Sequence, residues 1–386
     1  MPRSNRGGAL RVASGFLAVV ALAGSAAACG SSSGLGERRS PAPVPPFHSG
    51  FADDVAAHMA AAGDRLWVAV AGRPTLRGRD RMTSFRVFAR TADAWSQWRR
   101  VAVPMGRIDP SEPFFIAPWK TGVCVAAGHD RRPKILCSRD GGAWTTVAAF
   151  SRSARIMDLA SSMGGGTLAI ALVGSRLLTV RIGDDLKATP AARPLPGGPV
   201  LARLGDGDGS QPLLAMRRAN RGGTLSVYGL RGGAWRTMAK PLDVGIGPQL
   251  GGPVADGDDI LIPVVQASNG AWPLRVARLS SGHLTLGPPI NHGEGSAQGL
   301  LEPGSGRPLA IWQQHSAGRG RTFRASIYLK NLDATSAAPR LLWTGFDIGP
   351  GDLAVEPFAD HLWALTTRAR AGHEDKALRV VVGPLG

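Results

Sequence analysis

The chain has 386 residues, 44% of them apolar and 19% charged, with 52 glycines and 29 prolines. That apolar content suffices for two or three ordinary domains or one large repeat-built domain, and the glycine and proline content stays below that of a low-complexity disordered chain. A formal charge of +17, from 45 basic against 28 acidic residues, together with three cysteines, excludes a coiled coil, a disulfide miniprotein and a polytopic membrane protein.

Arg3, Arg6 and Arg11 precede an apolar stretch over residues 12–23, which is shorter than the ~20 residues of a membrane span. Ala26-Ala27-Ala28 then leads into Cys29. This resembles a bacterial lipoprotein signal, in which the cysteine becomes the diacylated N-terminus, although Ala26 stands where such signals usually carry Leu. Ala26 and Ala28 also fit ordinary small-x-small secretory cleavage, which would leave Cys29 as a free thiol. The following Gly30-Ser31-Ser32-Ser33-Gly34 suits a flexible tether. The expected organisation is a signal peptide over 1–28, a lipid-anchor cysteine with a Gly/Ser/Pro linker over 29–50, and a folded domain over 51–386. Such a protein sits outside the cytoplasm, held at the cell membrane by its lipid. Processing that removes the three leader arginines lowers the charge from +17 to +14.

From residue 51 onward the chain reads as short apolar strands punctuated by Gly, Asp and Pro turns, with no strong helical periodicity. The pattern "turn, then apolar strand" opens at Asp64-Arg65-Leu66-Trp67 and closes at Asp360-His361-Leu362-Trp363. Similar strands are anchored at Val123, Leu168, Leu213, Ile260 and Leu309, a step of about 49 residues. A second marker keeps the same beat: Trp95, Trp144, Leu186, Trp235 and Leu284 are each expected to open a fourth strand, and Gly-Gly-Ala precedes both Trp144 and Trp235. Four strands, a to d, in each unit of ~40–50 residues predict a propeller blade. The fold class is therefore all-β, a single β-propeller of seven four-stranded blades, with six or eight within the counting error. The last unit offers strands a, b and c, and then the chain stops. Residues 44–51 are expected to supply its missing outer strand and so remove an exposed edge.

Antiparallel pairing about Asp130-Arg131 sets Cys124 opposite Cys137 within disulfide reach, the alternative being two buried thiols that merely pack. With Cys29 acylated, an even pair remains for an oxidising compartment.

Ser138-Arg139-Asp140-Gly141-Gly142-Ala143-Trp144 resembles the Asp-box of sialidase-type propellers, one residue short before the Trp. In that family the box is structural: the Asp ties the turn and the Trp packs between sheets, away from the active face. The resemblance assigns Ser138, Asp140, Gly142 and Trp144 to a c–d turn and implies nothing catalytic. A sialidase-like glycoside hydrolase or lyase is the alternative function, and it would need a tyrosine nucleophile near the axis. The only tyrosines, Tyr228 and Tyr328, fall on strands c. Neither a Gly-x-Ser-x-Gly elbow nor a phosphate loop is present. Asp206-Gly207-Asp208-Gly209-Ser210 reads as turn chemistry, and His292-Gly293-Glu294 and His373-Glu374-Asp375 read as isolated polar loops. No catalytic residue, metal ligand or cofactor is assigned.

Charge placement carries the functional expectation. All b–c loops of a propeller emerge on one face, and here they carry Arg73, Arg77, Arg79, Arg81, Arg131, Arg132, Lys134, Arg217, Arg218, Arg221, Arg319, Arg321, Arg368, Arg370 and Lys376, with Asp80, Asp130, Glu374 and Asp375 as the only acids. The a–b and c–d turns of the opposite face carry most of the aspartates. A basic face of arginines suits carboxylate or phosphate. The expected protein is a monomeric, non-catalytic binding or scaffold lipoprotein whose basic face engages an anionic envelope polymer, lipid or protein. Nucleic acid is not an expected partner of an exported chain. The competing reading treats the excess of arginine as compositional bias on solvated loops.

Overall fold

The computed structural model describes residues 54–384, apart from 73–82, 92–97, 106, 110–112, 130–131, 163–165, 197–199, 207–210, 219–222, 246, 248, 268–271, 292–296, 304–307, 318–322, 333–337, 347–352, 359–360 and 368–377. The expected signal peptide, Cys29, the linker and the closing segment 44–51 all lie outside the described residues, as do Arg73, Arg77, Arg79, Arg81, Arg131, Arg221, Arg319, Arg321, Arg368, Arg370 and Trp95.

Every described element is a strand. Blade 1 runs β1 (Asp54–Ala62), β2 (Arg65–Gly72), β3 (Thr83–Thr91) and β4 (Arg99–Val101), with β5 (Arg107–Ile108) added to β3. Blade 2 is β6 (Phe115–Trp119), β7 (Gly122–His129), β8 (Arg132–Ser138) and β9 (Thr145–Ala149). In blade 3 the order is β10 (Ala154–Ser162), β11 (Gly166–Val173), β12 (Arg176–Ile182) and β13 (Ala188–Pro196). Blade 4 has β14 (Val200–Asp206), β15 (Pro212–Arg218), β16 (Thr224–Arg231) and β17 (Ala234–Thr237), with β18 (Leu242–Asp243) also on β16. The inner strand of blade 5 is split into β19 (Gln249–Leu250) and β20 (Val254–Asp256), followed by β21 (Asp259–Val265), β22 (Leu274–Ser280) and β23 (His283–Leu286). Blade 6 is β24 (Ala297–Pro303), β25 (Pro308–Ala317), β26 (Phe323–Asn331) and β27 (Arg340–Phe346). The seventh sheet holds three strands, β28 (Leu353–Phe358), β29 (His361–Thr367) and β30 (Leu378–Pro384). Among the described residues the propeller thus has six four-stranded blades and a three-stranded seventh sheet, within the range the repeat count allows.

Burial follows each strand's place in its blade. Strand β2, Arg-Leu-Trp-Val-Ala-Val-Ala-Gly, is buried at every position after Arg65, and β15 and β21 behave alike. A second strand packs on a neighbouring blade through both faces, so it carries a continuous apolar run rather than an alternating one. Outer strands β4 and β9 are exposed or half-buried throughout. Hairpins use two-residue turns with left-handed backbone. Gly232 and Gly233 both have positive φ (56° and 69°), the type I′ pattern that matches strand twist. The marker at Leu186 is displaced from expectation: it lies in the c–d turn, closed by the Gly183 N–H···O Lys187 and Leu186 N–H···O Gly183 bonds, and β13 opens only at Ala188. Asp184 and Asp185 lengthen that turn, which shifts the strand outward by two residues.

Seven apolar clusters fill the seven seams between consecutive blades. The seam that closes the ring joins Leu66, Val68 and Val70 of blade 1 to Ala354, Trp363 and Leu365 of the seventh sheet. Arg90 is buried in that seam, 5.0 Å from the Trp363 ring centroid and 5.9 Å from that of Trp98, and burial lowers its pKa. Ring closure therefore runs through inner and middle strands of the first and last blades.

Candidate functional site

Arg132, the one described member of the expected b–c set that is exposed, opens β8. Lys134 on the same strand is half-buried. Arg152, in the loop between β9 and β10, and Arg176, at the β11–β12 turn, emerge on the same side and are exposed. Arg217 is placed differently. Its side chain is buried, and its guanidinium donates to the Val265 carbonyl at 2.9 Å, to that of Gln249 at 3.3 Å and to that of Gly245. Burial lowers its pKa, and three carbonyls hold its Nη1 and Nη2, so Arg217 clamps blade 4 to blade 5 and is not offered to a ligand. Arg218 is half-buried and donates to the Pro196 carbonyl at 3.1 Å.

On the opposite side several acids are held in ion pairs. Lys120 reaches Asp184 at 2.9 Å, linking blades 2 and 3; Lys187 reaches Asp185 at 3.3 Å; and Arg278 holds Asp259 at 2.6 Å and Asp256 at 3.7 Å. These are solvated pairs of small individual worth.

Two structural motifs are in place. Cys124 and Cys137 are directly opposed on β7 and β8, with Cα atoms 4.1 Å apart, and form a disulfide. In the turn after β8, Gly141 N–H donates to Ser138 Oγ at 2.9 Å and Gly142 N–H to Asp140 Oδ1 at 2.8 Å, which lowers the Asp140 pKa. Trp144 donates from Nε1 to the Gly141 carbonyl and packs against the seam between blades 1 and 2. Asp140 and Trp144 thus fix a turn and a seam. The tyrosines are also structural: Tyr228 is buried between blades 3 and 4, and Tyr328 stacks on Trp312 at 5.5 Å.

The ionisable residues that converge lie elsewhere, on the innermost strands. His58 comes from β1, Asp158 from β10, Arg203 from β14 and Glu356 from β28, while Phe114 and Phe115 enter at the start of β6. A register shift between Ile156 and Asp158 marks a β-bulge at Met157, the kind of irregularity that re-aims a strand's side chains. The Met157 carbonyl accepts from Arg203 Nη1 at 2.6 Å, and the same nitrogen reaches the Ala202 carbonyl at 3.1 Å. Arg203 then passes the Phe115 ring, 5.5 Å from its centroid, toward His58. It forms a spoke from blade 4 that spans blades 3 and 2 and acts on blade 1.

Each partner is tuned by that placement. His58 packs edge-on against Phe114 at 4.9 Å and lies 5.8 Å from the Phe115 ring. Burial first and the Arg203 charge second bring its pKa down to about 4, so the imidazole is neutral at pH 7. Asp158 accepts from Leu159 N–H at 2.9 Å and, across the seam, from Leu204 N–H at 2.7 Å. Burial raises its pKa against the opposing pull of Arg203. Glu356 accepts from Ala61 N–H of blade 1 at 2.8 Å, and burial pushes it up to about 8. Asp158 and Glu356 thus make the same stitch at two seams, each binding a main-chain N–H of the next inner strand.

Sequence reading searched the loops and passed over these four residues. Each stands alone in an apolar inner strand: Ala-Ala-His58-Met-Ala, Ile-Met-Asp158-Leu, Leu-Ala-Arg203-Leu and Ala-Val-Glu356-Pro. A polar side chain in the first strand of a blade, several residues before the buried anchor, was the available signal. Among the described residues no three His, Cys, Asp or Glu side chains form a metal-binding group.

No protein-family model and no curated protein matches the sequence. Solved propellers do match the fold. A chain of Kuenenia stuttgartiensis hydrazine synthase aligns with 88% of this chain and 98% of its own at 13% identity (TM-score 0.55). The periplasmic gluconolactonase of Pseudomonas aeruginosa covers 84% and 88% at 14% identity (TM-score 0.52). A puromycin-hydrolysing peptidase of Mycobacterium tuberculosis aligns over 86% of this chain and 51% of its own at 15% identity (TM-score 0.53). At such identities the likeness establishes the β-propeller and nothing about chemistry.

Proposed function

We propose that this chain is a non-catalytic, extracytoplasmic binding module, lipid-anchored through Cys29, whose b–c side engages an anionic envelope polymer, lipid or protein. One observation carries the reading: three arginines on the b–c side are exposed and lack an acidic partner among the described residues. Aspartates on the a–b and c–d side are held by Lys120, Lys187 and Arg278, whereas Arg132, Arg152 and Arg176 stand exposed on the other side with no acidic partner among the described residues. Exposed guanidinium groups free of local ion pairs steer anions and fork onto carboxylate or phosphate. The leader and spacer support the location, since they would present the ring at the outer surface of a membrane.

The names of the fold neighbours include a gluconolactonase and a peptidase, so hydrolysis is the competing reading. A sialidase-like version lacks its nucleophile, because Tyr228 and Tyr328 are committed to seams. The test is retention of the full chain on a dextran sulfate surface. Native protein is expected to bind at low ionic strength and elute as screening sets in, within a few tenths molar salt. Arg132→Glu, Arg152→Glu and Arg176→Glu together should abolish retention. Undiminished retention of the triple variant removes the basis of the reading.

A further inference from the structure

Arg203 is incompletely used. Its Nη1 serves the Met157 and Ala202 carbonyls. Among the described residues both of its hydrogen bonds leave from Nη1, none from Nε or Nη2, and the side chain keeps accessible surface although β14 is packed on both sides. Asp158, the nearest carboxyl acting on it, makes no contact ion pair with it and spends both oxygens on the Leu159 and Leu204 N–H groups. The Nε–Nη2 edge is the side of a guanidinium that presents two parallel N–H groups to one carboxylate. His58 is half-buried, and its contacts among the described residues are with the Phe114 and Phe115 rings, with no hydrogen bond from its ring nitrogens. Phe114 and Phe115 supply an apolar wall beneath both groups.

From this convergence we infer that the axis of the propeller holds a binding site for a small hydroxy-carboxylate, with the carboxylate on the Nε–Nη2 edge of Arg203 and a hydroxyl on His58. A half-buried cation without a contact counter-ion favours an anion; the fork takes two oxygens of one carboxylate, and the adjacent imidazole favours an anion that also carries a hydroxyl over a bare tetrahedral ion. The neutral imidazole offers one donor and one acceptor, which suits a hydroxyl rather than a second charge. This site is independent of the basic edge and could exist with or without it.

Titration calorimetry of the full chain with sodium D-glucuronate as the probe tests the assignment. One saturable site is expected, with no binding of D-glucose and with sulfate a poor competitor. Arg203→Lys keeps a charge but loses the fork, and should bind about tenfold more weakly. His58→Phe keeps the ring against Phe114 and removes its nitrogens; it should weaken binding about fivefold while leaving the melting midpoint in place. Arg132→Glu, Arg152→Glu and Arg176→Glu together should leave glucuronate affinity unchanged, which separates failure of this site from failure of the edge. The inference is overturned by absence of saturable binding, by sulfate competing as well as glucuronate, or by Arg203→Lys binding as tightly as the native chain. Should Arg203→Lys not fold, undiminished binding by His58→Phe overturns it alone.

Discussion

Glu356 gives the sharpest test of how the axis is built. Its carboxyl accepts from Ala61 N–H across the closing seam, and burial raises its pKa from 4.5 to about 8. A folded pKa above the unfolded value means that the folded state binds the proton more tightly. The associated stability is therefore complete below about pH 4.5 and is lost as pH rises through about 8. At about 1.4 kcal/mol per pKa unit, the displacement corresponds to about 5 kcal/mol by pH 9 and about 3 kcal/mol at pH 7, before solvent screening reduces it. Glu356→Gln keeps an oxygen for Ala61 and removes the ionisation. With an unfolding entropy of roughly 0.7 kcal/mol/K for a domain of this size, the variant should melt with the native chain near pH 5 and about 4 °C above it at pH 7. The gap should widen further at pH 9. Thermal melts of both proteins from pH 5 to 9 measure this. His58, whose pKa of about 4 costs stability on the acid side as pH falls from 6.5 through 4, is common to both proteins and titrates outside the pH 7 to 9 window where the gap opens. A gap of the same size at every pH would refute the argument, because it would mean that the substitution alters packing and not a titration.

Two further outcomes follow from the blade seams. The Cys124–Cys137 bond spans 13 residues of sequence, and a closed loop of that length restrains the unfolded chain by about 3 kcal/mol. Cys124→Ala with Cys137→Ala should therefore lower the melting midpoint by at least about 4 °C, and native protein under reductant should fall by a similar amount; equal midpoints with and without reductant would contradict the bond's role. Arg217→Met leaves three main-chain carbonyls without their donor and should cost about 3 kcal/mol, read as a lower urea midpoint, with retention on dextran sulfate unchanged. Unaltered stability with weakened retention would return Arg217 to the ligand face.

The ring was legible because a propeller repeats its physics. Each second strand must be apolar on both faces, so Leu66, Leu168, Leu213 and Ile260 recur in register with the turns before them, and the period can be counted. Cys124 and Cys137 were legible for a similar local reason: a short hairpin fixes which residues face each other. Leu186 shows the limit, since two extra turn aspartates slide a strand without disturbing the apolar pattern. Arg217 shows a deeper one. In sequence it is one of three arginines at a b–c loop, and nothing local distinguishes it from Arg218. Its burial depends on carbonyls of Gly245, Gln249 and Val265 in the next blade.

That same dependence explains why the axial residues escaped a reading organised by loops. A repeat exposes what every blade shares, whereas a site at the axis is made from what each blade does once. His58, Asp158, Arg203 and Glu356 occupy one inner strand apiece, and their roles arise only between blades. The Met157 bulge frees the carbonyl that holds Arg203, and Arg203 in turn helps keep His58 neutral. Asp158 and Glu356 make the same type of bond to a neighbouring inner strand, yet only Asp158 lies close enough for Arg203 to act on its pKa. A charge on the axis that leans on a main-chain carbonyl rather than a carboxylate is an arrangement in which an incoming anion has something to neutralise.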